Sequence, residues 1–385
     1  EQDYNKAREL FEKAADLGDN RGLFLLGVLY ENGQGVEQDY NKAREYYQKA
    51  VDLDNDMALI SLGLLYKDDE GVEQDYNKAR ELFEKAADLG NDEALIALGD
   101  LYEEGKGVEQ DYNKAKEYYQ KAADLGDNRG LFLLGLLYEN GQGVEQDYNK
   151  AKEYYQKAAD LGNNKALISL GLLYENGENV EQNYNKAREY YQKAADLGNN
   201  KALISIGKLY ENGQGVEQDY NKAREYYQKA ADLGNNKGLI LLGLFYTNDK
   251  CVEPDYNKAK EYYQKAADHG NGTALYLLGT LYKSGKGVEQ DFIKAKECFQ
   301  NGAELGDDLA LVSLGTLYEN GENVEQDYNK AKEYYQKAAD LGNKKALYSL
   351  GVLYEKGQGV EQDYNKAKEY YQKAADLGND EALIA

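Results

Sequence analysis

The chain of 385 residues contains no tryptophan and only one histidine, one proline, one methionine and two cysteines. Cys251 and Cys298 share no recurring spacing, so no disulfide framework is expected, and a reducing compartment such as the cytoplasm is favoured. The single histidine, His269, has no nucleophile and base spaced around it as a catalytic triad requires. The scarcity of these residues argues against an enzyme.

Other absences narrow the class of protein further. No run of about 18 apolar residues occurs, so a membrane-spanning helix is not expected. No ligand spacing typical of calcium or zinc sites appears, and we therefore expect no metal and no cofactor.

Basic residues are outnumbered, with 46 lysines and arginines against 70 acidic residues, for a net charge of −24. This balance disfavours nucleic acids and anionic membranes as partners, because both are recognised by basic surfaces. It favours a basic partner, or it simply reflects a well-solvated acidic surface.

A unit of 36 residues repeats throughout the chain without insertion or deletion. An Asp-Tyr pair begins at residues 3, 39, 75, 111, 147, 219, 255, 327 and 363, with Asn183-Tyr184 and Asp291-Phe292 in the same register. A fixed period of this length indicates stacked repeats, each contacting its neighbours. We expect one array over residues 1–385, with ten helix pairs and an eleventh first helix followed by a truncated second helix. The start at Glu1 and the stop within a unit suggest a piece of a longer protein.

Two helices are predicted in each unit, here taken from residues 147–178. Helix A begins after the cap Asp147, carries tyrosine and alanine at helical spacing over about 13 residues, and ends at Gly162. Helix B begins after the cap Asn163 and ends at Gly177. A turn with positive φ is predicted in the next loop, where most units have glycine and three have Asn179, Asn323 or Cys251.

Some positions accept only small residues. The position of Gly171 is glycine in all ten units that reach it, and that of Ala166 is always alanine or glycine. Glycine within a helix costs about 1 kcal/mol relative to alanine, so another helix is expected to lie against this position. Helix B is apolar nearly all round, so we predict that it is the more buried helix and forms the inner row.

The pattern Ala…Tyr-Tyr-x-Lys-Ala-Ala-x-x-Gly…Ala…Leu-Gly-x-Leu-Tyr…Gly-x-Gly-Val resembles the Sel-one-like repeat family, a branch of the tetratricopeptide-like superfamily. The resemblance covers essentially the whole chain. It implies an all-α fold, an α/α solenoid in which antiparallel helix pairs form a right-handed superhelix, and an adaptor or scaffold role. The tetratricopeptide analogy also implies that helix A forms the inner row, which is the alternative to the prediction for helix B. Some members are secreted, carry a disulfide in each repeat and bind penicillin. This chain lacks those cysteines, so these properties are not expected.

Three positions of helix B vary between units, while the rest of the unit is nearly constant. In order, they are the positions of Lys165, Ser169 and Leu172. They lie at i, i+4 and i+7, on one stripe of the helix. A variable stripe on a constant frame is typical of a binding row, and it is equally typical of drift on an exposed face. The candidate partner-binding residues are Arg21, Met57, Glu93, Asp100, Arg129, Lys165, Ser169, Leu172, Lys201, Lys208, Lys237 and Thr280.

The sequence therefore predicts a non-enzymatic scaffold that binds partner proteins or peptides along its surface. Two alternatives stay open. One is a structural or filament-forming element that self-associates through the ends of the repeat array. The other is the regulatory region of a larger enzyme.

Overall fold

The computed structural model describes residues 3–68, 71, 73–177, 180–249 and 253–384. Within these ranges the regular structure consists of 21 α-helices and one short 3₁₀ turn, which confirms the all-α prediction. The helices fall into two compact parts, Glu1–Leu197 and Gly198–Ala385, each an α-solenoid of paired helices. We call these parts unit 1 and unit 2, and the word unit without a number continues to mean the 36-residue repeat. The continuity of one array over residues 1–385 stays a prediction.

Unit 1 contains α1 (Tyr4–Asp16), α2 (Asn20–Asn32), α3 (Tyr40–Val51), α4 (Asp56–Asp68), α5 (Tyr76–Asp88), α6 (Asp92–Glu104), α7 (Tyr112–Asp124), α8 (Asn128–Asn140), α9 (Tyr148–Asp160), α10 (Asn164–Asn176) and α11 (Tyr184–Asp196).

Unit 2 contains α12 (Asn200–Asn212), α13 (Tyr220–Asp232), α14 (Asn236–Thr247), α15 (Tyr256–Asp268), α16 (Gly272–Ser284), α17 (Phe292–Glu304), α18 (Asp308–Asn320), α19 (Tyr328–Asp340), α20 (Lys344–Lys356), α21 (Tyr364–Asp376) and the 3₁₀ turn Glu381–Leu383. Odd-numbered helices are the predicted helices A and even-numbered helices are the predicted helices B.

The helix ends lie where the cap residues predict. The Asp147 carboxylate accepts a hydrogen bond from the Lys150 backbone N–H at 3.0 Å, and the Asn163 side chain accepts one from the Ala166 N–H at 3.0 Å. Each satisfies a backbone donor that the first helical turn leaves unpaired. Gly177 ends α10 with φ 74°. Local chemistry is therefore sufficient to set the register of the helices.

Two non-glycine residues adopt left-handed backbone among the residues that the structure describes. Asn323 has φ 55°, which confirms the turn predicted there, and Asp54 has φ 59° at a position where the other units have glycine. Asparagine and aspartate tolerate this conformation better than larger residues do. The same prediction for Asn179 and Cys251 lies outside the described residues.

The constant glycine of helix B packs against the aromatic ring of the next helix A. A Cβ added at Gly171 would lie 2.2 Å from Cε1 of Tyr191, a fully buried residue of α11. The small residues at the Ala166 position face the preceding helix A in the same way, since a Cβ on Gly130 would lie 2.7 Å from the Tyr119 backbone oxygen. The predicted packing of small against large residues is confirmed.

Helix B is the more buried member of each pair, as its composition predicts, while its place in the inner row stays a prediction. In α10 five residues are buried: Ala166, Leu167, Leu170, Gly171 and Leu173. In α9 only Ala151, Tyr155 and Ala158 are buried, while Lys157 is exposed.

A candidate interaction groove on the helix B face

The predicted partner-binding residues all lie on even-numbered helices, with their side chains exposed or half-buried. The exposed ones are Arg21, Met57, Glu93, Arg129, Lys165, Leu172, Lys201, Lys208 and Lys237. The half-buried ones are Asp100, Ser169 and Thr280. All of them are thus placed on or near a face that a partner can reach, and their role in binding stays a prediction.

Three of these residues come together in unit 1. Asp100, Arg129 and Lys165 line a groove of about 440 Å³. Its apolar lining comes from Ile96, Phe132 and Leu133, and its remaining lining residues are Asn128, Gly162, Asn163 and Asn164. We call this the unit 1 groove. The other nine candidates do not line it.

Asparagine side chains hold the wall of the groove where α8 and α10 begin. The Nδ2 of Asn163 donates to the backbone oxygen of Asn128 at 3.2 Å, and the Nδ2 of Asn128 donates to the backbone oxygen of Leu161 at 2.9 Å. Because each side chain bonds the neighbouring unit, the two helix starts are kept in a defined arrangement. The ring of Phe132 packs against that of Tyr155 with their centroids 5.7 Å apart.

Arg129 presents an oriented guanidinium to the groove. Its Nη2 donates to Oδ2 of Asp127 at 2.6 Å, and its Nε donates to the same carboxylate at 3.0 Å. This pairing raises the pKa of Arg129. The Asp127 carboxylate is only 5% exposed, whereas the Arg129 side chain is 49% exposed. The Asp127 carboxylate therefore compensates part of the Arg129 charge, and the guanidinium keeps N–H donors on the side that faces solvent.

Asp100 shares a tyrosine hydroxyl with a second carboxylate. The hydroxyl of Tyr119, whose side chain is fully buried, lies 2.9 Å from Oδ1 of Asp100 and 2.6 Å from Oε2 of Glu103. Burial raises the pKa of Asp100, although the Tyr119 hydrogen bond and the Lys67 charge oppose the rise. Burial is also the main cause that raises the pKa of Tyr119. Asp100 consequently holds its proton more strongly than an ordinary aspartate.

The bond between Tyr119 and Glu103 belongs to a recurring set that the sequence analysis missed. A buried tyrosine of helix A donates to a glutamate near the end of the preceding helix B. The set comprises Tyr47 with Glu31, Tyr119 with Glu103, Tyr155 with Glu139, Tyr191 with Glu175, Tyr227 with Glu211, Tyr335 with Glu319 and Tyr371 with Glu355.

A signal for this set is present in the sequence. The glutamate is replaced by lysine in two units, at Lys67 and Lys283, and in the same two units the tyrosine is replaced by Phe83 and Phe299. A third unit has Thr247 in place of the glutamate and keeps the tyrosine, Tyr263. A lysine cannot accept the hydroxyl proton, so the hydroxyl is absent where lysine stands. Lys283 instead pairs with Glu322 at 2.7 Å. Comparison of the two positions across units would have revealed the contact.

The remaining chemically active side chains have structural surroundings. Nδ1 of His269 lies 2.8 Å from Oδ1 of Asn236 on the surface. Cys298 packs against an apolar cluster that includes Tyr263, and burial raises the pKa of its thiol. No three His, Cys, Asp or Glu residues within the described ranges are grouped so that they could hold a metal ion. None of the described helices is long and apolar enough to cross a membrane.

The paired helices define an all-α repeat protein, and the groove is an open feature of its surface. The sequence profile of the Sel1 repeat matches eleven segments: residues 1–19, 21–55, 56–91, 92–127, 129–163, 164–199, 200–235, 237–271, 272–307, 308–343 and 344–379. The chain belongs to the Sel1 repeat family. Sel1 repeat proteins are generally protein-interaction scaffolds, and the fold is generally non-catalytic.

Solved structures agree with this membership. A protective antigen of uropathogenic Escherichia coli with the Sel1-like repeat fold is 33% identical, with a TM-score of 0.55, covering 99% of this chain and 81% of that one. A Sel1 repeat protein of Oxalobacter formigenes is 30% identical, with a TM-score of 0.60, covering 79% and 89% of the two chains.

A curated relative matches over a short stretch. HcpC of Helicobacter pylori, which carries a β-lactamase name, is 60% identical over 37 residues, or 10% of this chain and 13% of HcpC. This stretch is about one repeat long. The name therefore says nothing of activity in this chain.

Proposed function

We propose that the chain is a non-enzymatic scaffold that binds exposed peptide segments of partner proteins, and that the unit 1 groove is its principal contact surface. The observation that carries the proposal is the convergence of Asp100, Arg129 and Lys165 around the apolar side chains of Ile96 and Leu133. Apolar anchors surrounded by a few placed polar groups are typical of peptide-binding surfaces.

The variation between units supports the same proposal. Arg129 and Lys165 occupy the first variable position of their helices, and Asp100 occupies the third position of its helix. In contrast, the residues that hold the wall, such as Asn163, belong to the constant frame. A scaffold with this division can change its partner without losing its fold.

The test is selection of a displayed random peptide library on the full chain. We expect enriched peptides to lose binding to the double variant Leu133→Ser, Lys165→Glu. Serine occupies the Leu133 position in several other units, for example at Ser61 and Ser205, so the variant is expected to fold. The control is Leu241→Ser with Lys237→Glu, the same residue changes at the corresponding positions of the repeat, both on α14 in unit 2. If both variants lose peptide binding equally, or if neither loses it, the assignment of the groove is contradicted.

Self-association through the ends of the array and a regulatory role in a larger enzyme stay predictions. Sedimentation velocity at increasing protein concentration tests the first, since end-to-end stacking produces species larger than a monomer. The complete reading frame tests the second.

A further inference from the structure

We propose that the unit 1 groove takes a peptide that places an apolar side chain on Ile96 and Leu133 and a lysine or arginine beside Asp100. This inference rests on the proposed function and specifies the chemistry of the partner.

One wall of the groove is formed by α6, a helix rich in acidic residues, of which Asp100 lines the groove. The helix carries Asp92, Glu93, Asp100, Glu103 and Glu104 and no lysine or arginine. The opposite helices α8 and α10 each carry one basic and one acidic residue. The charge distribution across the groove is therefore unequal, and a cation is attracted to the α6 side.

Burial is the main cause that raises the pKa of Asp100, and the hydroxyl that faces it serves two carboxylates. Tyr119 of α7 has one hydroxyl proton and lies within hydrogen-bond distance of both Asp100 and Glu103. If both carboxylates were ionised, one of them would lack a full hydrogen bond. A proton on Asp100 lets it donate to the Tyr119 oxygen while Tyr119 donates to Glu103.

Some of the nearby charges lower the pKa of Asp100 and others raise it. Lys67 of α4 favours ionisation of Asp100, whereas Glu103 and Glu104 of its own helix oppose it. Glu104 is paired with Lys106 at 2.8 Å, and Arg129 across the groove is paired with Asp127. Lys165 occurs in none of the ion pairs among the described residues, and it lies on the far wall. Lys165 therefore disfavours a second cation there and fixes the direction in which the partner lies.

Protons and charges balance when the peptide binds. The partner brings an ammonium or guanidinium group that keeps its charge and favours the ionised form of Asp100. Any proton that Asp100 loses on binding goes to solvent, and the Tyr119 hydroxyl continues to donate to one of the two carboxylates. Binding consequently strengthens as the pH rises through the titration of Asp100, because less work is needed to remove the proton.

An acid at this position is peculiar to one unit. The equivalent residues in the other units are apolar, hydroxyl-bearing or basic: Val28, Leu64, Leu136, Leu172, Lys208, Leu244, Thr280, Thr316 and Val352. Most of the units share the bond between tyrosine and glutamate, yet only here does a second carboxylate reach the tyrosine among the described residues. The Asp100 carboxylate is therefore not required by the fold, and it is available for specific recognition of a partner.

The test uses the full chain and a capped, fluorescein-labelled octapeptide of alternating leucine and lysine at physiological ionic strength. The comparison peptides carry glutamate in place of lysine, or serine in place of leucine. We expect both to bind at least about tenfold more weakly, since one lost charge pair or apolar anchor commonly has this effect. Equal binding of the serine peptide would indicate attraction by net charge alone and would overturn the proposal.

The variant Asp100→Asn should weaken binding of the leucine–lysine peptide about tenfold, and Asp100→Glu should recover part of it. The matched control Leu136→Asn changes the equivalent position of the next unit, outside the groove lining, and should leave the affinity unchanged. Calorimetry in two buffers with different ionisation enthalpies measures protons released. At a pH within the titration of Asp100, the wild type should release more protons on binding than Asp100→Asn does.

The outcomes separate the two proposals. Preferred binding of the glutamate peptide, lost in Leu133→Ser, overturns the cationic partner while the groove assignment stands. Equal loss in Asp100→Asn and Leu136→Asn overturns the role of Asp100. If Leu133→Ser and Asp100→Asn both bind the leucine–lysine peptide as the wild type does, then this inference and the groove assignment both fail.

Discussion

The ring of Tyr191 lies directly against the backbone of Gly171, so close that a Cβ at residue 171 would stand 2.2 Å from its Cε1 atom. The same contact recurs between Gly135 and Tyr155 at 2.4 Å. Each pair joins helix B of one unit to helix A of the next. These contacts explain why a residue unfavourable in helices is kept at this position in every unit.

Replacement of Gly171 by alanine should destabilise unit 1. In an open helix this change stabilises by about 1 kcal/mol, but here the methyl group overlaps a fully buried ring and the cost is about 1–3 kcal/mol. Urea unfolding of the full chain measures the effect. Lys165→Ala on the exposed face of the same helix is the control and should change stability by less than about 0.5 kcal/mol. A stabilised Gly171→Ala protein would contradict the contact.

Exchange of the pair Lys67 and Phe83 for the glutamate and tyrosine of most other units should show strong coupling. Phe83→Tyr alone buries a hydroxyl beside a lysine, without a carboxylate acceptor, and should cost about 1–3 kcal/mol. Adding Lys67→Glu supplies the acceptor and should recover about 1 kcal/mol. A double-mutant cycle in urea measures the coupling energy. Lys283→Glu with Phe299→Tyr repeats the experiment in unit 2, and additive effects in both cycles would refute the pairing.

Asp100 should make stability decrease as the pH rises. Its native pKa is raised, so between the ordinary aspartate value of about 3.9 and the native value the folded state binds more protons than the unfolded state. Its contribution is therefore complete below this window and is lost through it. The measurement is the difference in unfolding free energy between the wild type and Asp100→Asn at a series of pH values, which should fall with rising pH.

Asp75 provides the opposite control. Its backbone hydrogen bond from Lys78 lowers its pKa, so its contribution is present above the ordinary aspartate value and is lost as the pH falls. The difference between the wild type and Asp75→Asn should therefore grow with rising pH. Parallel trends in the two variants would show that one of the two assignments is wrong.

Cys298 should react slowly with thiol reagents in the native protein. It is half-buried, and burial raises the pKa of its thiol, so little of the reactive thiolate is present at neutral pH. In a Cys251→Ser background, Ellman's reagent should label Cys298 much more slowly than it labels the same protein in concentrated guanidinium chloride. Cys298→Ser in that background gives the blank. Equal rates in the native and unfolded protein would show that the thiol is not shielded.

The sequence predicted the helices well because their determinants are local. Asp147 and Asn163 cap helices within three residues of themselves, and Gly177 ends one through its own backbone conformation. The contact at Gly171 could also be predicted, since a costly glycine retained in ten units implies a close neighbour. The identity of that neighbour, a tyrosine in the next unit, required the structure.

The candidate site was predicted only as a list of exposed positions. Asp100, Arg129 and Lys165 were among twelve candidates. Asp100 is the one acid at its position in the repeat, but nothing in the sequence shows that these three residues meet. They converge because α6, α8 and α10 present their faces to one groove, and this depends on how successive units are rotated and packed. The shared hydroxyl of Tyr119 was missed for the same reason.

The sequence by itself determined the repeat, the two helices of each unit, their caps and the small positions between them, because these depend on periodicity and on interactions a few residues apart. Only the tertiary structure decided which variable residues meet in the unit 1 groove and that Asp100 and Glu103 face one buried hydroxyl. These relations join residues of different helices, and their distances are set by packing between elements rather than by any spacing along the chain.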